Sequence, residues 1–171
     1  LSGRNEVRAF LGLGGNLSDP LAAMAAALRM VDADVSTRVV TVSSVYRTPP
    51  WGTVAQPDFL NCVAELRTTL SPRALLELCL GAERELKRVR TIPGGPRVID
   101  VDVLCHGEAR LCEGGLELPH PRMLQRAFVL IPLREIAPDL TFDGLGFDHY
   151  LDRTDAAGII VAETGGDWWK G

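Results

Sequence analysis

The chain lacks both glycine signatures by which proteins most often cradle a nucleotide. No GxxxxGKS/T phosphate loop occurs, and Gly12-x-Gly14 is not a dinucleotide fingerprint, because Leu17 stands where a third glycine would be. Any nucleotide must therefore be held by side chains and metal. A basic excess is also missing. The net charge is −4 and the pI about 5.4, which argues against a general nucleic-acid binder. No apolar run reaches membrane-spanning length, and the start does not read as a signal peptide. The four cysteines, Cys62, Cys79, Cys105 and Cys112, lack CxxC spacing and sit among aliphatics. That pattern predicts buried free thiols in a reducing compartment rather than a zinc site. With no targeting signal, the expected location is cytoplasmic. Internal repeats and low-complexity segments are absent as well. The first residue is not Met, so a longer parent chain is one expectation.

What remains is ordinary in bulk. With 171 residues, 46% hydrophobic and 23% charged, the composition predicts one globular domain over residues 1–171. Its core is expected at about 7–140, with a C-terminal extension over 141–171. The informative stretch is residues 83–102, ERELKRVRTIPGGPRVIDVD. It gathers Arg84, Lys87, Arg88, Arg90 and Arg97 in an acidic protein, then alternates Asp100 and Asp102 with Ile99, Val101 and Val103. On a strand, that alternation sends both carboxylates to one face. Two carboxylates about 7 Å apart can share one or two hard cations. Arginines facing a carboxylate-bound metal suit a polyphosphate. The same pattern also describes a solvated acidic strand beside a solvated basic helix.

Residues 7–13 (VRAFLGL) read as a first strand running into a turn at Gly14-Gly15-Asn16. Asp19-Pro20 and Ser71-Pro72 each pair a capping residue with proline at the first helical position. Helices follow, with core stripes Leu21, Met24, Leu28, Val31 and Leu75, Cys79, Ala82, Leu86. Residues 38–47 (RVVTVSSVYR) predict a second strand and residues 59–69 (FLNCVAELRTT) a third. Between them lies a stiff loop containing Thr48, Pro49, Pro50, Trp51 and Gly52. Asn61, among apolar neighbours, must be hydrogen-bonded, either capping a backbone group or meeting a heterocycle edge. Residues 107–117 predict a hairpin or flap. His120, between Pro119 and Pro121, has a restricted backbone. Residues 125–136 predict a short helix broken at Pro132. Phe142, Phe147, Tyr150, Trp168 and Trp169 are expected to pack as a cover, with the last residues disordered. The order strand, helix, strand, strand, helix, strand predicts an α+β ferredoxin-like sandwich: a four-stranded antiparallel sheet, helices on one face, and a C-terminal extension.

Six local blocks occur in order: residues 14–17 (GGNL), 43–52 (SSVYRTPPWG), 56–61 (QPDFLN), Glu83 with 88–90 (RVR), 95–104 (GPRVIDVDVL) and 119–133 (PHPRMLQRAFVLIPL). On these blocks the chain resembles the 6-hydroxymethyl-7,8-dihydropterin pyrophosphokinases of folate synthesis, over about residues 7–140. The resemblance implies transfer of the β,γ-diphosphate of the co-substrate ATP to the pterin hydroxymethyl oxygen. It implies two Mg²⁺ ions held by Asp100 and Asp102. Arg88 and Arg97 would stabilise the transferred group. Glu83, Arg90, Arg97, His120 and Arg126 would serve ATP. Thr48, Pro49, Trp51 and Asn61 would line the pterin pocket, and Phe59 and Phe128 would sandwich the ring. In that context Asn61 is read as a ligand contact. The implied partners are these small molecules, with no nucleic acid and no membrane. The expected assembly is a monomer, alone or within a fusion with another folate enzyme.

The chain departs from the family pattern at residues 91–95, TIPGG, where a Trp-bearing loop one residue longer is usual. Lys87, Leu80, Gly115 and Glu117 also replace family residues. None of these removes a metal ligand or a principal arginine, so an active enzyme is expected. The TIPGG loop favours one alternative, a pterin- or nucleotide-binding paralogue impaired in turnover by a degenerate lid, and the intact Asp100, Asp102, Arg88 and Arg97 count against it. A third reading is a ferredoxin-like interaction module with a solvated charged face.

Overall fold

The fold was analysed in a computed structural model that describes residues 5–50, 52–86 and 98–171. Its first strand decides the architecture. β1 (Val7–Gly15) sends Ala9, Leu11 and Leu13 into one apolar cluster and Phe10 into another, and all four are buried. A strand apolar on both sides must be central, with both faces of its sheet covered. β1 pairs antiparallel with β4 (Phe59–Thr68) on one side and β5 (Asp100–His106) on the other. β2 (Thr37–Val42) and β3 (Val45–Thr48) lie end to end along the far edge of β4.

Helices α1 (Pro20–Asp32) and α2 (Pro72–Glu85) connect these strands. The order β5–β1–β4–β2, with helices after β1 and β4, is the ferredoxin-like arrangement expected from the sequence. Both predicted caps form: Asp19 accepts from the Ala22 N–H at 3.0 Å, and Ser71 Oγ accepts from the Ala74 N–H at 3.1 Å. Met24, Leu28 and Val31 of α1 and Leu75 and Cys79 of α2 are fully buried in the cluster on one sheet face. Each such aliphatic contributes about 1.5–3 kcal/mol by leaving water.

The structure differs from the sequence reading in several places. The predicted strand over residues 38–47 is two strands, because Ser43 and Ser44 leave the ladder and satisfy backbone groups with their own hydroxyls. The predicted turn at Gly14-Gly15 is strand, since both glycines pair with β4 opposite Asn61 and Leu60. The helix does not break at Pro132. A 3₁₀ turn (Met123–Gln125) leads into α3 (Ala127–Ile136), which runs through the buried proline. Proline there, the sixth of the helix's ten residues, forgoes one intrahelical N–H bond, and packing offsets that loss.

The fourth difference is coverage. α3 and α4 (Phe147–Leu151) cover the second face with Leu130, Leu133 and Phe147, whereas helices were expected on one face. Among the described residues the sheet has six strands rather than four. The split of the second strand adds one, and β8 (Ile160–Glu163), pairing with β3, adds the other. The fifth is the chain end. Trp169 is only 5% exposed, and the Trp168 indole donates to the Ser43 carbonyl at 2.9 Å, so the last residues are packed. The predicted flap is a hairpin of β6 (Leu111–Glu113) and β7 (Leu116–Leu118).

Candidate active site

Residues that alternate along β5, an edge strand among the described residues, are brought by register beside β1 on the second face. Asp100 lies across from Gly14, and Asp102 from Gly12. Gly14 in turn lies across from Asn61, and Asn61 from Tyr46 of β3. One cross-strand row therefore reads Asp100, Gly14, Asn61, Tyr46. Adjacent strands lie about 4.8 Å apart, so the carboxylate and amide strands are separated by roughly 10 Å of glycine-floored sheet.

The floor is glycine for a steric reason. A Cβ on Gly14 would stand 2.3 Å from Asn61 Oδ1 and 3.2 Å from the Leu60 carbonyl oxygen. Asn61 can thus lay its amide across β1, while its Nδ2 donates to Thr48 Oγ1 at 2.7 Å. Thr48 is buried, and β3 pairs it with Phe59. The buried Asn16 side chain donates from Nδ2 to Gln56 Oε1 at 3.0 Å and to the Pro57 carbonyl at 2.9 Å. It pins the loop before Phe59 to the end of β1.

A cavity of about 270 Å³ opens over this floor. Thr48, Pro49, Phe59, Asn61, Phe128 and Arg126 line it together with Asp100, Asp102 and His120. The Arg126 guanidinium lies 5.5 Å from the centre of the Phe128 ring. A second cavity, about 480 Å³, shares Asp100, Asp102 and His120 with the first. Its walls are Leu76, Leu80 and Glu83 of α2 and the β6–β7 hairpin with Gly115 and Glu117. The departures from the family pattern at Leu80, Gly115 and Glu117 therefore fall on this second cavity.

Glu83 is 5% exposed, and its Oε1 accepts the Val101 N–H at 2.8 Å, between the two aspartates. A helix carboxylate so placed holds β5 from below. Burial, with the Glu83 and Asp102 carboxylates close by, pushes the Cys79 thiol up to about 12. Burial likewise raises Cys105 to about 12 and pushes the Cys62 thiol up. Cys112 corrects the expectation of four buried thiols: it lies exposed on the hairpin. His120 donates its backbone N–H to the Leu104 carbonyl at 2.9 Å, and its Nδ1 accepts the Arg122 N–H at 3.2 Å. That contact puts the ring proton on Nε2. Burial first, then Arg126 and Arg122, lower the His120 pKa from its ordinary value, which favours the neutral form of the imidazole where the cavities meet.

Of the residues singled out from sequence, the structure brings together Thr48, Pro49, Phe59, Asn61, Glu83, Asp100, Asp102, His120, Arg126 and Phe128 around these adjoining cavities. Trp51, Arg88, Arg90 and Arg97 lie outside the described residues, as does the loop 91–95. Sequence reasoning missed Gly12, Gly14 and Arg122, which also line the first cavity. The alternation Gly12-x-Gly14, matched to Asp100-x-Asp102, was the available signal for the glycines.

Among the described residues, no group of three or more His, Cys, Asp or Glu is placed to hold a metal. The paired aspartates alone suit Mg²⁺, which takes one or two carboxylates and fills its other positions with water and phosphate oxygens. No helix among the described residues is long and apolar enough to cross a membrane.

Residues 10–138 match the family described as 7,8-dihydro-6-hydroxymethylpterin-pyrophosphokinase (HPPK), and the chain belongs to this family. A relative from Methylorubrum extorquens, named 2-amino-4-hydroxy-6-hydroxymethyldihydropteridine pyrophosphokinase, is 47% identical over 156 residues, covering 91% of this chain and 99% of its own. Relatives of the same name from Pseudomonas aeruginosa and Bacillus subtilis are 44% and 40% identical, covering 94% and 89% of their own lengths. Among solved structures, wild-type Plasmodium falciparum HPPK-DHPS superposes with a TM-score of 0.69 over 87% of this chain at 13% identity, which speaks to the fold. The chain spans 41% of that longer protein.

Proposed function

We propose that this chain transfers the β,γ-diphosphate of ATP to the hydroxymethyl oxygen of 6-hydroxymethyl-7,8-dihydropterin, releasing AMP, in folate biosynthesis. One observation carries the reading: two cavities, one aromatic and amide-lined, the other between α2 and a hairpin, meet at Asp100, Asp102 and His120. A reaction joining a flat heterocycle to a polyphosphate needs that layout. In-line transfer depends on positioning and charge neutralisation more than on a protein base.

The first cavity would take the pterin. Phe59 and Phe128 offer their rings to its faces, and Asn61, oriented by Thr48, reads its donor–acceptor edge. Pro49 lines that pocket, and Trp51, outside the described residues, is proposed as a further pterin contact. The second cavity would take ATP, with Glu83 and His120 in its wall and Arg126 on the adjoining first cavity; Arg90 and Arg97, outside the described residues, are proposed as further ATP contacts. His120, whose Nδ1 accepts the Arg122 N–H, can donate from Nε2 to a phosphate oxygen. Asp100 and Asp102 would hold two Mg²⁺ ions between the substrates. When bound, those ions would neutralise phosphate charge and lower the pKa of the attacking hydroxyl. Arg88 and Arg97 would bear on the transferred group, where charge develops. Glu83, through Val101, keeps the two aspartates in register.

The deciding experiment measures AMP from ATP, with dihydropterin and Mg²⁺ each present or withheld. AMP that depends on both supports the proposal. Pterin binding without AMP would overturn it in favour of a turnover-impaired binding protein and implicate residues 91–95.

A further inference from the structure

A built junction stands just outside the first cavity. Where β2 stops and β3 starts, the buried Ser43 and Ser44 are satisfied from several directions. The Val63 N–H donates to Ser43 Oγ at 2.9 Å, and the Ser43 hydroxyl donates to the Ser44 carbonyl at 2.7 Å. From the C-terminal segment, the Gly165 N–H donates to Ser44 Oγ at 3.0 Å. From α3, the Glu135 carboxylate accepts twice: Oε2 from the Ser44 N–H at 2.8 Å and Oε1 from the Tyr46 hydroxyl at 2.5 Å.

We infer that Glu135 is a positioning residue for pterin: by holding Ser44 and Tyr46 it fixes β3, and with it Thr48, Pro49 and Asn61, against the helix that carries Phe128. The inference rests on reading the first cavity as the pterin pocket. Glu135 does not itself line that cavity, so it acts through β3. Phe128 and Glu135 are seven residues apart in α3 and share a face of the helix. Tyr46 and Thr48 are two apart in β3 and share a face of the strand. The carboxylate therefore sets the separation between the two walls that would hold the ring. Asn61 is tied to both ends of β3, as the cross-strand partner of Tyr46 and the donor to Thr48. The outer side of β3 is braced as well. β8 pairs with it, and Gly158 lies so close that a Cβ there would stand 2.8 Å from Pro49 Cγ. Glu135 supplies the corresponding hold from the α3 side.

The test compares wild type with E135A, E135Q and Y46F. Dihydropterin affinity is measured in the presence of Mg²⁺ and a non-transferable ATP analogue, and analogue affinity is measured without pterin. Alanine leaves the Ser44 N–H and Tyr46 hydroxyl without their shared acceptor. Glutamine keeps an acceptor for Ser44 and offers its NH₂ to the Tyr46 oxygen. E135A should weaken pterin binding about fivefold, with analogue affinity within about twofold and E135Q within about twofold of wild type. Y46F should lose about twofold to threefold for pterin, and the E135A/Y46F pair should be no worse than E135A alone. Unchanged pterin affinity in E135A, or an equal loss for both ligands, would overturn the inference. So would an E135Q variant as impaired as E135A. If E135A fails to fold, Y46F decides: a pterin-selective loss supports the inference and no loss defeats it. A wild-type chain that binds no pterin would instead defeat the functional reading beneath it.

Discussion

Gly14→Ala separates the glycine floor from mere strand geometry. The new Cβ would sit 2.3 Å from Asn61 Oδ1, closer than real carbon atoms approach, and 3.2 Å from the Leu60 carbonyl. The backbone can yield by a few tenths of an ångström. The Asn61 amide cannot stay and must rotate off β1. Rotation breaks its 2.7 Å bond to Thr48 Oγ1, a loss of about 1 kcal/mol, and residual crowding adds about 1 more. A destabilisation near 2 kcal/mol lowers Tm by about 4–8 °C in a chain of this length, so the variant should still fold. Function should suffer more. With Asn61 displaced, buried polar atoms on the pterin edge are left unpaired, a loss of about 1–3 kcal/mol or roughly 5–150-fold in pterin affinity. Gly12→Ala is the stability control, because its nearest atom, Leu104 Cδ2, lies at 3.4 Å, an ordinary contact. Titration of dihydropterin, with a thermal melt of each variant, gives both numbers. A folded G14A protein with wild-type pterin affinity would refute the role of Asn61 and the steric argument for the floor.

Asp100→Ala and Asp102→Ala should each lower the rate of AMP formation by several orders of magnitude while leaving the melting curve near wild type; near-normal rates would remove the metal assignment. Glu83→Ala should cost about 2 kcal/mol, because it leaves the Val101 N–H buried without its acceptor, whereas Glu83→Gln retains an acceptor and should recover most of that in denaturant melts. His120 should titrate below the ordinary imidazole value of 6.5 in NMR spectra of the folded protein. Because its folded pKa is lowered, the unfolded chain binds more protons in the window just below 6.5, so its contribution to stability is intact above 6.5 and falls as pH drops toward the folded pKa; His120→Gln should flatten that slope. A bulky thiol reagent should modify Cys112 alone in the native protein and all four cysteines after denaturation, since the other three are buried and their thiols raised.

Local chemistry made much of this legible. The Asp19-Pro20 and Ser71-Pro72 starts, the helical stripes and the alternation about Asp100 and Asp102 were readable because capping and periodicity span only a few residues. The misreadings share a cause. Gly14-Gly15 reads as a turn on propensity, yet pairing with Asn61 and Leu60 keeps it in the strand. Ser43-Ser44 reads as strand, yet hydrogen bonds from α3 and the chain end pull it out. Pro132 reads as a break, yet burial of α3 against the second sheet face carries the helix through it. In each case a partner distant in sequence overrides the local preference.

The sequence by itself determined the families of elements, the two carboxylates on one strand face and the ordered blocks that mark pyrophosphokinase membership. Only the tertiary structure decided that Asn61 would lie two strands from Asp100 across a glycine floor, and that Glu83 would hold the strand between the aspartates. It alone decided that Glu135 and the C-terminal segment would brace β3 from opposite sides. Side-chain period is written in neighbouring residues, but register and the packing of one wall against another are set by hydrogen bonds and contacts between residues tens of positions apart.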